Sequence, residues 1–156
     1  MRMTTFLWFD TDAEEAAEFY VSIFPDSRIT SVARRPKNVP GETGGAMLVC
    51  FELCGQKFMA MGGGPSQKFN QAVSIMVHCE TQEEIDRIWE KLTDGGEEIQ
   101  CGWLKDRYGL SWQIDPESIE TMLTAGGPEA TERVMEAVMG MVKLDMAELQ
   151  KAYEGG

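Results

Sequence analysis

The chain has 156 residues, 43% of them hydrophobic, enough to fill the core of one ordinary domain or of two small modules that share one. A formal net charge of −12 disfavours nucleic-acid phosphates and anionic membrane surfaces, and no stretch approaches the roughly 20 apolar residues of a membrane span. The N-terminus, Met1-Arg2-Met3-Thr4, leads straight toward a strand without the apolar region of a secretion signal, so a cytoplasmic protein with no nucleic-acid and no membrane partner is expected.

Residues 5–9 (TFLWF) form an apolar, strand-like run. A helix follows over about 14–24, with Asp12 and Glu15 spaced as a capping box, and Pro25 ends it because proline has no amide donor and clashes with the preceding turn. Residues 27–35 alternate and are rich in β-branched side chains, as a half-buried strand requires. Residues 36–45 hold two prolines and three glycines and read as a loop able to cover a pocket. The cluster Arg34-Arg35-Pro36-Lys37 beside it reads as solvated charge rather than a nucleic-acid patch. Residues 45–53 and 57–61 make a hairpin turning at Cys54-Gly55-Gln56, and the run Gly62-Gly63-Gly64-Pro65 ends this first module.

The same order then recurs. A strand over 72–79 precedes a helix over about 82–93, which opens on a second box, Thr81 and Glu84, and stops at Gly95-Gly96. The helix repeats the first at a constant offset of 69, carrying Ala16 onto Ile85, Phe19 onto Ile88, Tyr20 onto Trp89 and Ile23 onto Leu92. One buried face is thus repeated at helical spacing. Strands are expected near 98–101, 103–105 and 110–114, with Asp106-Arg107-Tyr108-Gly109 as the last hairpin turn. After Pro116 the pattern is helical over 117–124, 129–139 and 146–153, the last behind Asp145 and Glu148. Val134, Met135, Val138 and Met139 form an apolar stripe whose commoner use is to cover a core or a second subunit. Cys50, Cys54, Cys79 and Cys101 include no Cys-x-x-Cys pair and several sit in apolar runs, which argues against zinc ligation and against a disulfide framework.

The paired β-α-β-β-β units, the segments Leu7-Trp8-Phe9, Ala17-Glu18-Phe19-Tyr20, Phe24-Pro25-Asp26-Ser27 and Cys101-Gly102-Trp103, and the stretch from Asp106 to Gln113 (DRYGLSWQ) carry a family likeness. So does the tail from Glu132 to Ala137 (ERVMEA). The chain resembles the glyoxalase/bleomycin resistance/extradiol dioxygenase (vicinal oxygen chelate) superfamily, and within it the PhnB-like group, often labelled 3-demethylubiquinone-9 3-methyltransferase-like. The resemblance implies an α+β fold in which two tandem βαβββ modules, about 1–65 and 70–116, form an open barrel as one domain, with C-terminal helices over about 117–156. It also implies a homodimer.

In that superfamily four inward-facing strand positions chelate a divalent metal, and carried over by position these fall on Thr5, Met59, Ser74 and Gln113. Two hydroxyls, a thioether and an amide suit a hard divalent ion poorly, so no metal and no cofactor is expected. By period-two alternation the cleft would also hold Leu7, Phe9, Met61, Met76, His78, Ser111 and Asp115, while Trp8 and Trp112 turn toward the helices. Trp103 either stacks on a ligand or fills the cleft rim. His78, the only histidine, is the one candidate acid or base, with a hydrogen-bonded strand-end histidine as the plainer reading. Lys105 and Arg107 read as hairpin charges or as partners for an anion, and Cys101 as a buried, inert thiol.

The methyltransferase label implies a glycine-rich turn between a strand and a helix for the nucleoside cofactor, whereas Gly62-Gly63-Gly64 is closed by Pro65 and leads into another strand. The leading expectation is therefore a binding protein for a small, largely apolar organic molecule. Its cleft residues are Thr5, Leu7, Met59, Met61, Ser74, Met76, His78, Trp103 and Gln113. The rivals are a metal-dependent enzyme of lyase, isomerase or dioxygenase type, with an ion recruited through Gln113, His78 and either Asp115 or a substrate oxygen, a 3-demethylubiquinone methyltransferase-like protein by family label alone, and a purely structural protein whose cleft is closed by side chains.

Overall fold

A computed structural model describes residues 1–156, and its chain divides into two compact units, Met1–Phe69 and Asn70–Gly156. The first contains β1 (Thr5–Phe9), α1 (Ala13–Ile23), β2 (Arg28–Arg34), β3 (Ala46–Leu53) and β4 (Gln56–Gly62), with sheet order β1-β4-β3-β2. The second contains β5 (Ile75–Cys79), α2 (Gln82–Thr93), β6 (Glu97–Glu98), β7 (Trp103–Lys105) and β8 (Ser111–Pro116), with order β5-β8-β7-β6. In both sheets the first strand runs parallel to the last and the remaining pairs are antiparallel, so the two units share one βαβββ topology. The fold is α+β, as the repeat predicts.

In the first unit α1 buries Ala13, Ala16, Ala17, Tyr20 and Ile23. Phe24, forced out of helical geometry by the following Pro25, is extended at φ −94 and ψ 138, which ends the helix where expected. The Tyr20 ring lies 6.4 Å from that of Phe51, which stacks on Phe58 at 5.3 Å, so these two phenylalanines mark the face that α1 seals. Residues in register across a sheet point to the same side. Thr5 pairs with Phe58 and Leu7 with Ala60, which places Thr5, Leu7 and Phe9 on the helix-covered face. Phe6 pairs with Met59 and Trp8 with Met61, and with Leu48 and Cys50 of β3 they make the opposite, open face.

This overturns the expected phase of β1. Leu7 is 6% exposed and Phe9 3%, both in the core, while Phe6 is 50% exposed and Trp8 stands on the open side with its indole N–H donating to the Gly64 carbonyl at 2.9 Å. The cause is one residue of connection. Ala13 and Gln82 open the helices at an offset of 69, whereas Thr5 and Ile75 open the strands at an offset of 70. A shift of one residue exchanges the faces of a strand completely, so the counterpart of Ser74 is Thr4, not Thr5.

The helix starts also differ from their common pattern. Thr81 is extended and its hydroxyl accepts from the Glu84 amide at 3.2 Å, while the Glu84 carboxylate accepts from the Glu80 amide at 2.8 Å. Asp12, at φ −93 and ψ 14, makes no such cap; its carboxylate accepts from the Thr11 hydroxyl at 2.6 Å instead.

In the second unit α2 buries Ile85, Ile88, Trp89 and Leu92, and Trp112, Ile114 and Leu104 complete that core. Trp112 thus lies against the helix as expected. The strand expected over 98–101 is only the two residues of β6, because Cys101 and Gly102 turn the chain at φ +64 and +77. Their amides donate at 2.8 Å to the Met141 and Val142 carbonyls, fastening this corner to the segment after the fourth helix. The hairpin turn after β7 is organised by Asp106, only 2% exposed. Its carboxylate accepts from the Tyr108 and Leu110 amides at 2.9 and 3.0 Å and from the Trp112 indole at 2.8 Å.

Helices α3 (Ile119–Ala125), α4 (Gly127–Gly140) and α5 (Met146–Glu154) close the second unit around a cluster of Ile119, Met122, Val134, Val138, Leu144 and Leu149. Asp145 caps α5 through the Ala147 and Glu148 amides. Val134 and Val138 of the expected stripe are buried, while Met135 and Met139 stay 39% and 57% exposed.

Two sets of variants check these assignments by denaturant unfolding. Leu7→Ala should cost about 3 kcal/mol as a core truncation, whereas Phe6→Ser should change stability by less than about 0.5 kcal/mol; the reverse order would restore the discarded phase of β1. Asp106→Ala, which strands three donors, should cost roughly 3 kcal/mol.

Candidate functional site

The alternation of β5, β7 and β8 gives the second unit an open face opposite α2. Met76, in register with Gln113, and His78, in register with Asp115, lie on it, and Trp103 joins them through its own pairing with Gln113. Ser74, just before β5, is tied to the same face because the Gln113 amide Nε2 donates to its hydroxyl at 2.7 Å. Five of the nine expected cleft residues, Ser74, Met76, His78, Trp103 and Gln113, are therefore brought together here. Met59 and Met61 share the open face of the first unit, while Thr5 and Leu7 are on neither open face.

The open face of the second unit is not bare. Helices α3 and α4 stand beside it, and between them and the sheet lies a cavity of about 240 Å³. The sheet lines it with Met76, Trp103, Gln113 and Asp115 and α4 with Met135 and Val138, and Cys101, half-buried rather than buried as expected, lines it too. Its walls are mostly apolar with a few polar groups, the composition of small-molecule sites. The helix contribution was hidden in the sequence inside a stripe that reads equally well as plain core packing; Val134, facing the cluster, and Met135, facing the cavity, are neighbours on one helix.

Asp115 is the site's one buried charge, 5% exposed. Burial pushes its carboxyl from the ordinary 3.8 up to about 6, opposed by the positive field of His78 across the strand pair. Packing holds the group in place, since a Cβ on Gly102 would sit 2.9 Å from Oδ1 and the positive φ of +77 there already favours glycine. His78 itself is exposed at the strand end.

The two cationic side chains near this hairpin are engaged elsewhere. Lys105 pairs with the Glu97 carboxylate, and Arg107 reaches both the Asp94 carboxylate at 2.5 Å and its carbonyl at 3.0 Å. They are local ion pairs rather than hooks for an anion. Cys79, on the helix side of β5, is pushed by burial up to about 12 and has no part in the site.

The loop over 36–45 stands over the first unit's sheet end. Arg35 holds it through the Pro40 carbonyl at 2.7 Å and also reaches the Gly62 carbonyl, beside a cavity of about 300 Å³ lined by Asp10, Thr11, Glu42 and several glycines.

Residues 1–115 match the family described as 3-demethylubiquinone-9 3-methyltransferase. Among solved structures, the PhnB protein from Bacillus cereus, whose description carries the same methyltransferase name, is 40% identical over 73% of this chain and 98% of its own, with a TM-score of 0.69. Protein PA1353 from Pseudomonas aeruginosa is 16% identical over 74% of this chain and 98% of its own, with a TM-score of 0.62. The fosfomycin resistance protein FosX from Listeria monocytogenes, crystallised with Mn(II) and sulfate, is 15% identical over 80% of this chain and 96% of its own, with a TM-score of 0.56. These last two share the fold. No curated protein sequence matches the chain.

The titration of Asp115 gives a measurable consequence. A carboxyl whose folded-state pKa is raised binds its proton more tightly when folded, so stability should fall as pH rises from about 4 to about 6. The Asp115 contribution to that fall is roughly 2 to 3 kcal/mol. Urea unfolding from pH 4 to 8 should show this component in the native chain and its loss in Asp115→Asn; identical profiles would place the carboxylate in solvent.

Proposed function

The chain belongs to the 3-demethylubiquinone-9 3-methyltransferase family, the PhnB-like branch of the vicinal oxygen chelate superfamily, and on that premise we propose that it binds a small, largely apolar organic molecule without a resident metal. The observation that carries this reading is the cavity between β7, β8 and α4, where Trp103, Met76, Met135 and Val138 give an apolar body its contacts and Gln113 and Asp115 its orientation. The single domain of two βαβββ modules with a helical extension is part of the same proposal.

The donor chemistry argues against the superfamily's metal. At the equivalent positions stand Thr4, Met59, Ser74 and Gln113; hydroxyls, a thioether and an amide do not fit a hard divalent cation, and the Gln113 amide is already bonded to Ser74. No group of three or more His, Cys, Asp or Glu side chains is gathered where it could hold an ion. Nor does the family's name translate into a nucleoside-cofactor site. The amides of Gly63 and Gly64 are spent on the Phe9 and Asp10 carbonyls at 3.0 and 2.9 Å, and no helix follows to lend its N-terminus to a ligand.

His78 acts in this reading as a polar neighbour of Asp115 at the rim, not as a nucleophile's partner. The open face of the first unit, with Phe6 half-exposed beside Trp8, Met59 and Met61, suits coverage by a second copy in a homodimer. No helix is long and apolar enough to cross a membrane, and four free cysteines suit the reducing cytoplasm.

Thermal unfolding with 4-phenylbutanol as a neutral apolar probe tests the reading. The midpoint should rise in the presence of EDTA, and the rise should shrink several-fold in Trp103→Ala. A rise that requires added Mn, Ni, Zn or Fe(II), together with stoichiometric metal lost in Gln113→Ala and His78→Ala, would replace it with the metal-dependent enzyme.

A further inference from the structure

Two of the polar side chains lining the second unit's cavity, Gln113 and Asp115, carry acceptor oxygens that nothing in the protein answers. Gln113 gives one N–H of its Nε2 to the Ser74 hydroxyl, and its carbonyl oxygen accepts no hydrogen bond from within the protein. Asp115 adds two carboxylate oxygens, and no hydrogen bond or ion pair within the protein reaches them. They are not sealed in either, since no fully enclosed side-chain oxygen lacks a partner. Asp115 is only 5% exposed and is one of the residues that line the cavity.

The neighbouring cations do not answer it. Lys105 is held by Glu97, Arg107 by Asp94 and Lys143 by Asp86, so each basic side chain of this region neutralises another carboxylate. His78 lies across the strand pair at the exposed strand end and is not among the cavity walls. The walls themselves add an indole face at Trp103 and polarizable thioethers at Met76 and Met135, surfaces that attract a cation as well as an apolar chain. A buried carboxylate without a partner costs free energy that a ligand's cation would recover.

We propose that the ligand of this cavity is an organic amine: an ammonium group paired with Asp115 and hydrogen-bonded to the Gln113 carbonyl oxygen, its hydrocarbon body lying against Trp103, Met76 and Met135. This rests on the small-molecule reading of the site and adds the charge and the donor that the molecule must carry. At pH 7.5 the carboxyl, raised only to about 6, is ionised and available for the pair. The pair excludes carboxylic acids and phosphate esters of similar shape, for which the cavity has no cationic partner.

Three probes with one hydrocarbon body separate the possibilities: 4-phenylbutylamine, 4-phenylbutanol and 4-phenylbutyrate, titrated calorimetrically into the full chain at pH 7.5. The amine should bind roughly tenfold or more tightly than the alcohol, and the carboxylate most weakly, as a charge-assisted bond in a desolvated site predicts. Asp115→Asn should bring amine and alcohol within about twofold while keeping alcohol binding, which also reports that the variant folds. Met76→Lys, a change at a position already 43% exposed, supplies a competing cation and should weaken the amine at least tenfold even if Asp115→Asn does not fold. Equal binding of amine and alcohol would overturn the amine assignment and leave the small-molecule reading standing. Binding of none of the three at millimolar concentration would overturn both.

Discussion

Each four-stranded sheet has one face that its helix must seal, and the organisation of this chain follows from which residues alternation assigns to that face. The helices α1 and α2 cover strands that run Val49, Phe51, Phe58, Ala60 in one unit and Leu104, Trp112, Ile114 in the other, and these side chains are excluded from any site. What remains on the open sides is functional material by default. In the first unit it is apolar: Phe6, Trp8, Leu48, Cys50, Met59 and Met61. In the second it includes Gln113, Asp115 and His78. One topology used twice thus yields an apolar open face in one unit and a more polar one in the other.

The consequences of a single residue in this scheme are large. The connection between β1 and α1 has three residues, 10–12, and that between β5 and α2 has two, 80–81. Helical repeats tolerate such a change because only the start of the helix moves. A strand does not, since its side chains have a period of two and one step exchanges both faces. Leu7 and Phe9 go into the core and Trp8 comes out, where it packs so closely on Gly63 that a Cβ there would lie 2.3 Å from the indole ring. The repeated helix was plain in the sequence because four pairs of apolar residues define a face. Five strand residues, all of them apolar or threonine, carry no alternation from which a phase could be chosen.

What the sequence displayed well was local chemistry. The stop at Pro25, the turn from Asp106 to Gly109 and the cap at Asp145 each depend on one residue's dihedral or hydrogen-bond preference, and each stands where expected. What it concealed was non-local. Asp106 looks like an ordinary turn aspartate until its second oxygen is found under the Trp112 indole, and Cys101-Gly102 looks like the end of a strand until its amides meet the chain after α4. The cavity depends on that second contact. It needs the corner at Gly102, the helix α4 and the sheet together, from residues more than thirty positions apart on the chain.

The side chains at the chelating positions and the buried carboxylate beside them follow one physical rule. A divalent ion would need several anionic or imidazole donors converging on a point, and each uncompensated donor of that kind is costly to bury. At these positions stand hydroxyls, a thioether and an amide, groups that can be buried with their hydrogen bonds satisfied internally, as Gln113 and Ser74 satisfy each other. Asp115 does not fit that pattern of internal satisfaction. It sits two residues beyond Gln113, on the same face, against a glycine whose missing side chain leaves it room. Holding a charge there raises its pKa and works against folding. In a chain whose other buried carboxylate, Asp106, is bonded three times over, that cost is the one the proposed cationic ligand would answer.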